Sequence, residues 1–175
     1  TIGGFATPYD LSYPAHVQSG CNTGTGVGCD SAGTSFSFTT TIVADVASGA
    51  DGTKSVRLYS NGTSPSYGIV RGPYIVSNGT VALAGGDTVS FKWKAQGSSD
   101  ALDVYGYLLN TSTGATINLL NATSSSASDS TYSTWATVTK TISNGTALAN
   151  YKFVFISGSW DATGGTALGA QLYID

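Results

Sequence analysis

Glutamate and methionine are absent from this sequence of 175 residues, and histidine occurs only once. All ten acidic residues are therefore aspartates, which excludes the glutamate pair of many glycosidases and leaves only an aspartate pair possible. The same scarcity excludes a histidine-rich zinc site, and a Ser-His-Asp triad would have to use His16. We therefore expect a protein without enzymatic activity.

Charged residues are also scarce, since they make up 10% of the chain against about 25% in a typical soluble domain. The net charge of -3 and the small number of arginines argue against a nucleic-acid-binding surface. No run of about eighteen apolar residues is present, which excludes a transmembrane helix, and no signal peptide starts at residue 1. Because methionine is absent as well, we expect an excised piece of a longer protein whose export signal lies elsewhere.

Short alternating segments dominate the sequence, and a hydrophobic fraction of 41% is too high for a disordered chain. In 88–95, apolar residues alternate with polar ones, which is the pattern of a strand with one buried face. Gly72 and Pro73 interrupt another alternating segment, 67–76, which indicates a β-bulge or an edge strand. Turn residues recur about every eight to twelve residues, and no helical stretch is found. The pattern predicts an all-β fold, an antiparallel, jelly-roll-like β-sandwich of about nine or ten strands, with a single domain over 1–175.

The two cysteines, Cys21 and Cys29, enclose a short loop of Gly, Thr, Asn and Val. Two cysteines in this setting are typical of a disulfide, which would pin an exposed loop and place the protein in an oxidising compartment. The alternative is a pair of metal-binding thiolates, but no second cysteine pair or histidine partner accompanies them. We expect the disulfide.

The end of the chain carries two alternating segments, 151–156 and 168–174, and the segment between them contains Asp161, Gly164 and Gly165. Adjacent glycines let the backbone turn its polar groups towards one point. With a carboxylate nearby, such a segment suits a calcium ion, which takes six to eight oxygen ligands. The plainer interpretation is a long hairpin turn in which Asp161 is a turn residue.

A second candidate lies in the predicted strand 102–109, where Asp103, Tyr105 and Tyr107 share one face. An unpaired carboxylate is costly in a dry core, so this face is either solvated or Asp103 is neutralised by a cation. Asp100 and the segment around Asp161 would supply further oxygens if the two pairs of strands are neighbours. The alternative is an ordinary polar outer face on which tyrosines serve as good strand formers.

Residues 54–175 resemble the ligand-binding modules of giant bacterial RTX-type adhesins, and most closely their peptide-binding domain. The most specific parts of this likeness are DALDVYGYLL, from residue 100, and SGSWDATGGTALGAQLYID, from residue 157. More distantly, the chain is similar to jelly-roll carbohydrate-binding modules, whose last strand often carries the pattern seen here at 172–175.

The adhesin resemblance implies an extracellular, calcium-containing module on a bacterial cell surface that captures the C-terminal end of a peptide or protein. It implies calcium ligation by Asp100, Asp103 and Asp161 and a role for the Gly164-Gly165 backbone. Asp175 is either a ligand of a structural calcium or the end of a truncated strand. From residue type and strand face, we place four further residues near the ligand: Arg71, Tyr74, Tyr105 and Trp160. We expect a monomeric domain with no nucleic-acid partner.

Three other functions compete with peptide capture. In a lectin of the same fold, Trp160, Tyr105 and Tyr107 would stack on a sugar ring while calcium bridges two hydroxyls. In a structural stalk domain, calcium would only rigidify the fold. An enzyme built on Asp100 and Asp103 is the weakest alternative, because nothing in the sequence identifies one of them as an acid of raised pKa.

Overall fold

The computed structural model of the protein contains ten β-strands in the residues that it describes. These residues are 37–45, 49–52, 55–63, 69–97, 100–160, 162 and 167–175. These ranges contain no helix, and hence none that would cross a membrane. The strands are β1 Ser37–Asp45, β2 Ser55–Thr63, β3 Ile69–Val76, β4 Val81–Leu83, β5 Thr88–Gly97, β6 Ala101–Asn110, β7 Thr116–Thr123, β8 Ala136–Thr141, β9 Ala149–Trp160 and β10 Ala167–Ile174. The predicted all-β class and the number of strands are confirmed.

The strands form two sheets in which the paired strands are antiparallel. Sheet I has the order β1-β2-β10-β5-β8, and sheet II has the order β3-β9-β6-β7, with β4 also paired to β9. β9 and β10 therefore lie in different sheets. The two strands therefore do not pair as a hairpin, which the plainer interpretation of 161–166 required, and of this segment only residue 162 is described.

The core lies between the two sheets. Its largest cluster combines side chains from the inner faces of both: Leu58, Trp93, Ala95, Ala170, Leu172 and Ile174 from sheet I, and Ile75, Leu102, Val104, Leu120, Ala122 and Phe155 from sheet II. Two aromatic rings join the sheets, since the ring centroids of Phe91 and Phe155 are 5.0 Å apart in an edge-to-face arrangement. Such a pair stabilises the fold beyond the apolar area that it buries.

The outer faces of the two sheets differ in burial, as β5 and β6 show. β5 buries Val89, Trp93 and Ala95 and exposes residues between them, which confirms the predicted half-buried strand. β6 is buried on both faces, and its outer side contributes to a second apolar cluster formed by strands of sheet II. That cluster contains Val76, Tyr107, Leu109, Val154 and Ile156. The interpretation of the Asp103 face as an ordinary polar outer face is therefore wrong, since Asp103 is only 3% exposed.

The edge strand β3 contains the predicted irregularity. Its pairing with β9 shifts between Arg71 and Tyr74, because Gly72 and Pro73 place one extra residue opposite the partner strand. Proline has no amide hydrogen to donate to a ladder, so it is tolerated at a bulge on an edge. Both parts of the prediction, bulge and edge, are confirmed. The three-residue strand β4 was not predicted, because it is too short for an alternating pattern to be visible.

Candidate functional site

A groove of about 430 Å³ runs along β6 and β7 on the outer side of sheet II. Its volume is in the range of small-molecule binding sites. Tyrosines, asparagines and the β6–β7 turn form its walls. The lining residues are Tyr105, Gly106, Tyr107, Gly114, Ala115, Thr116, Asn118, Leu120 and Asn121.

A β-bulge in β7 creates the polar wall of this groove. The register of β6 and β7 shifts between Gly106, opposite Leu120, and Tyr107, opposite Asn118, which leaves Leu119 as an extra residue. Because side chains alternate along a strand, residues 118 and 121 would otherwise point to opposite faces. The bulge turns both Leu119 and Leu120 towards the apolar interior. Asn118 and Asn121 are consequently both exposed beside the two tyrosines.

Gly106 forms the floor of the groove and is required there for steric reasons. A Cβ atom at this position would lie 2.8 Å from Cδ1 and Cε1 of Phe155 and 3.2 Å from Cβ of Leu120. The Phe155 ring is thus in direct contact with the β6 backbone from the core side. The sequence placed Gly106 between two tyrosines, and the structure shows that this gap is filled by Phe155 from the opposite face.

Asp103 holds one of the groove tyrosines in place. Its Oδ1 accepts hydrogen bonds from the hydroxyl of Tyr105, at 3.0 Å, and from the hydroxyl of Thr123, at 2.9 Å. Hydrogen bonds to an ionised acceptor are stronger than those between neutral groups. The buried carboxylate is stabilised by these two hydroxyl donors, and Tyr105 is fixed with its ring at the groove.

The groove itself is uncharged. None of the described residues that line it carries a formal charge, and its exposed polar side chains are the amides of Asn118 and Asn121 and the hydroxyl of Thr116. Tyr105 is half-buried, and Tyr107 retains 8% exposure. Such a surface offers ring faces and neutral hydrogen-bonding groups, which fits a ligand that is polar, neutral and partly flat.

The predicted calcium ligand Asp100 lies at the start of β6 and is fully buried. Its Oδ1 accepts the backbone N–H of Ala101 at 2.8 Å and that of Ala162 at 2.9 Å. β6 and β9 pair antiparallel, with Ala101 opposite Trp160, so the two segments expected to be neighbours are neighbours. Asp100 thereby ties the residue after Asp161 to the end of sheet II. Asp161, Gly164 and Gly165 themselves lie outside the described residues.

The sheet register places three other predicted residues on the strands of sheet II that neighbour the groove strands. Tyr74 and Tyr105 both pair with Ile156, from opposite sides, and Arg71 pairs with Gly158. Trp160 pairs with both Ile69 and Ala101 at the end of β9. These placements concern the backbone only.

Asp175 is not brought to the other predicted ligands. It follows β10 at the end away from segment 161–166, roughly 26 Å along the strand at about 3.3 Å per residue. Its carboxylate accepts the N–H of Ala50 at 2.7 Å, and its backbone pairs with Lys92. Within the described ranges, no group of three or more metal-ligating side chains is found. Cys21 and Cys29 lie outside those ranges, so their disulfide stays a prediction.

The polar wall of the groove, formed by Asn118 and Asn121, was not predicted from the sequence. A strand was predicted over 115–120, but Asn118 and Asn121 share a face only because of the bulge at Leu119. Two adjacent leucines inside an Asn-flanked strand are the signal that would have indicated this bulge, since strict alternation would put one of them in solvent.

Comparisons with known proteins identify a fold but no family. No model of a known protein family matches the sequence, and no curated protein matches it either. Among solved structures, the chain is similar to one from a study of carbohydrate-binding modules of the β-sandwich superfamily and their promiscuous specificity, with a TM-score of 0.50 and 13% identity. The match covers 100% of this chain and 62% of that one.

A second solved structure is a more distant match. It comprises the CBM22-1 and GH10 modules of endo-1,4-beta-D-xylanase 10B from Clostridium thermocellum, in complex with xylohexaose. The TM-score is 0.33 at 10% identity, and the match covers 79% of this chain and 25% of that one. The predicted likeness to jelly-roll carbohydrate-binding modules is confirmed at the level of fold by the first structure. The resemblance to RTX-type adhesins stays a prediction.

Proposed function

We propose that this chain is a non-catalytic glycan-binding module whose ligand lies in the groove along β6 and β7. The observation that carries the proposal is the uncharged lining of that groove, in which Tyr105 and Tyr107 face Asn118 and Asn121 across the two strands. The first of the similar structures belongs to carbohydrate-binding modules, and its fold likeness agrees with this assignment.

Sugar rings present two kinds of surface that match such a groove. Their faces carry C–H groups that pack on an aromatic ring, and their edges carry hydroxyls that exchange hydrogen bonds with amides. Tyr105 supplies the ring, and its hydroxyl is held by Asp103, so little side-chain freedom is lost when a sugar binds. Asn118 and Asn121 each present a donor and an acceptor. Ligand binding at this site does not require calcium, since no carboxylate lines the groove among the described residues.

The test is a calorimetric titration with a panel of neutral oligosaccharides, in excess EDTA, using the wild type and three variants. Tyr105→Ala removes the ring and is expected to weaken binding at least tenfold, or about 1.4 kcal/mol. Tyr105→Phe keeps the ring and is expected to change affinity far less. Thr139→Ala, on the exposed strand β8, is the matched control and should bind as the wild type does. Equal affinities for all four proteins would contradict the proposal.

Calcium-dependent capture of a peptide C-terminus is the second candidate, and one observation favours it. Asp100 accepts the N–H of Ala162, so the carboxylate of Asp100 and the residue next to Asp161 meet at one end of sheet II. A calcium ion held by Asp100, Asp103 and Asp161 would attract the terminal carboxylate of a ligand. In this function the module would act outside a bacterial cell as the binding end of an adhesin.

Peptides with a free and with an amidated C-terminus distinguish the two candidates. Peptide capture predicts heat with the free peptide in calcium, and none after amidation or in EDTA. Asp161→Asn should then abolish binding of the peptide and leave glycan binding in EDTA unchanged. If glycan binding persists in EDTA and the peptides give no heat of binding, the result supports glycan binding in the groove.

A further inference from the structure

The outer face of sheet I carries a row of cationic and aromatic side chains that glycan binding in the groove does not use. Arg57, Tyr173 and Lys94 are register neighbours across β2, β10 and β5. Trp135 follows in the same row, because the pairing of Trp93 with Ala136 places the preceding residue opposite Lys94. We call these four residues the cationic row.

Contacts within the cationic row hold Lys94 over two aromatic rings. Nζ of Lys94 lies 4.6 Å from the ring centroid of Tyr173 and 5.0 Å from that of Trp135. The two rings are 6.4 Å apart in an edge-to-face arrangement. Cation–π contacts of this length orient the ammonium. Lys94 is therefore held at a defined place on the sheet.

Gln171 connects the other end of the row. Its Oε1 accepts the hydroxyl of Tyr173 at 2.8 Å and Nη1 of Arg57 at 3.5 Å. Both donors use the carbonyl end of the side chain, which leaves the amide N–H groups of Gln171 to donate to a ligand. Nε of Arg57 is buried and has no hydrogen-bond partner among the described residues.

This face carries three cations, although the chain as a whole has a net charge of -3. Three cations, Arg57, Lys92 and Lys94, stand on it by register, and none forms an ion pair within the described part of the chain. Among the described residues, the carboxylate of Asp175 after β10 accepts the N–H of Ala50, and Asp45 of the edge strand β1 pairs with Ser55.

We propose that the cationic row is a second binding site, specific for a carboxylate-bearing glycan such as a polyuronate. Arg57 and Lys94 are separated by two strand spacings, roughly 10 Å, so they would meet two different carboxylates of one polymer chain. Guanidinium and ammonium groups form strong charge-assisted hydrogen bonds to carboxylates. Trp135, which is half-buried, offers its ring to a sugar face at the end of the row. This inference does not depend on the groove, which lies on the other sheet.

The test is a titration of the whole chain with a hexamer of galacturonic acid. Lys94→Gln and Arg57→Gln are each expected to weaken binding at least tenfold, and Trp135→Ala several-fold without any change of charge. Lys94→Arg keeps the cation over the rings and should bind within about threefold of the wild type. Lys140→Gln, on exposed β8, is the matched loss of one charge and should change affinity less than twofold.

Thermal unfolding of each variant shows whether it is folded, and binding of a neutral oligosaccharide to the groove should be unchanged in all of them. Equal weakening by Lys140→Gln would overturn the proposal, because it would indicate attraction by net charge alone. Equal affinity for poly-glutamate would overturn it as well, since no sugar would then be recognised. If neutral glycan binding is absent while the hexamer still binds, the proposed function of the groove is refuted and that of the cationic row is not.

Discussion

The outer faces of the two sheets differ in charge and in burial. On sheet II, Tyr105 and Tyr107 lie with two asparagines in an uncharged groove, and an apolar cluster covers much of the surrounding face. On sheet I, Lys94 stands over the rings of Tyr173 and Trp135 on a face that also carries Arg57 and Lys92. Tyrosine is common to both faces, so the residues beside it determine which ligand each can bind. Amides favour neutral hydroxyls, and cations favour carboxylates.

Gly106→Ala should have the largest effect, because it acts on the core beneath the groove. The new methyl group would meet the Phe155 ring at 2.8 Å, so we expect the free energy of unfolding to fall by about 1–3 kcal/mol. Chemical denaturation measures this change. The same substitution in a Phe155→Leu background should cost less, because the smaller side chain relieves the contact. Identical costs in the two backgrounds would show that the ring is not what excludes a side chain at residue 106.

Asp103→Asn distinguishes a structural carboxylate from a calcium ligand. Asparagine can still accept both hydroxyls, but without charge assistance, so we expect a loss of about 1 kcal/mol in unfolding free energy. Glycan affinity should fall modestly, since Tyr105 is held less firmly. Thermal unfolding of both proteins, with calcium and with EDTA, is the measurement. If calcium stabilises the wild type and not the variant, Asp103 is a metal ligand and this account of its role is wrong.

Trp135→Ala tests the sheet I face without altering its charge. Removing one of the two rings under Lys94 should lower the unfolding free energy by about 0.5–1 kcal/mol. Binding of a neutral glycan to the groove should remain unchanged, because Trp135 lies on the opposite sheet. A loss of groove binding in this variant would show that the two faces are not independent.

Asp129→Asn should have the smallest effect, and it concerns the loop that joins β7 of the groove to β8. Hydrogen bonds from the Thr131 hydroxyl and from the backbone of Ser125 and Thr131 hold the pKa of Asp129 well below its ordinary value of 3.8. A lowered pKa gives stability that is present above the unfolded value and is lost as pH falls through the folded one. The melting temperatures of wild type and variant should therefore converge only in acid, below pH 4 or so. A constant difference down to the lowest pH would contradict this.

Much of the fold follows from the sequence, because a strand is recognisable from the alternation of its own residues. Alternation in 88–95 predicted the buried face of β5, and Gly72-Pro73 predicted the bulge in β3. Strand order was not predictable, since it depends on pairings between distant residues, such as β10 between β2 and β5. For that reason segment 161–166 was open to interpretation as a hairpin turn.

The candidate site was predictable only in part. The shared face of Asp103, Tyr105 and Tyr107 follows from alternation, and all three lie at or beside the groove. That two hydroxyls would accompany the carboxylate was not visible, because Thr123 reaches Asp103 only through the β6–β7 pairing. The polar wall was hidden by the bulge, and the cationic row spans four strands whose order was unknown.

Amide chemical-shift mapping of the whole chain tests most directly whether each sheet face binds its own class of ligand. A neutral oligosaccharide and a galacturonic acid hexamer would each be added, in EDTA, to isotopically labelled protein. We expect the neutral ligand to shift the amides of Tyr105, Asn118 and Asn121, and the hexamer to shift those of Arg57, Lys94 and Tyr173. If both ligands shift the same set of residues, or if the neutral ligand shifts neither set, the assignment of a separate ligand class to each face is contradicted.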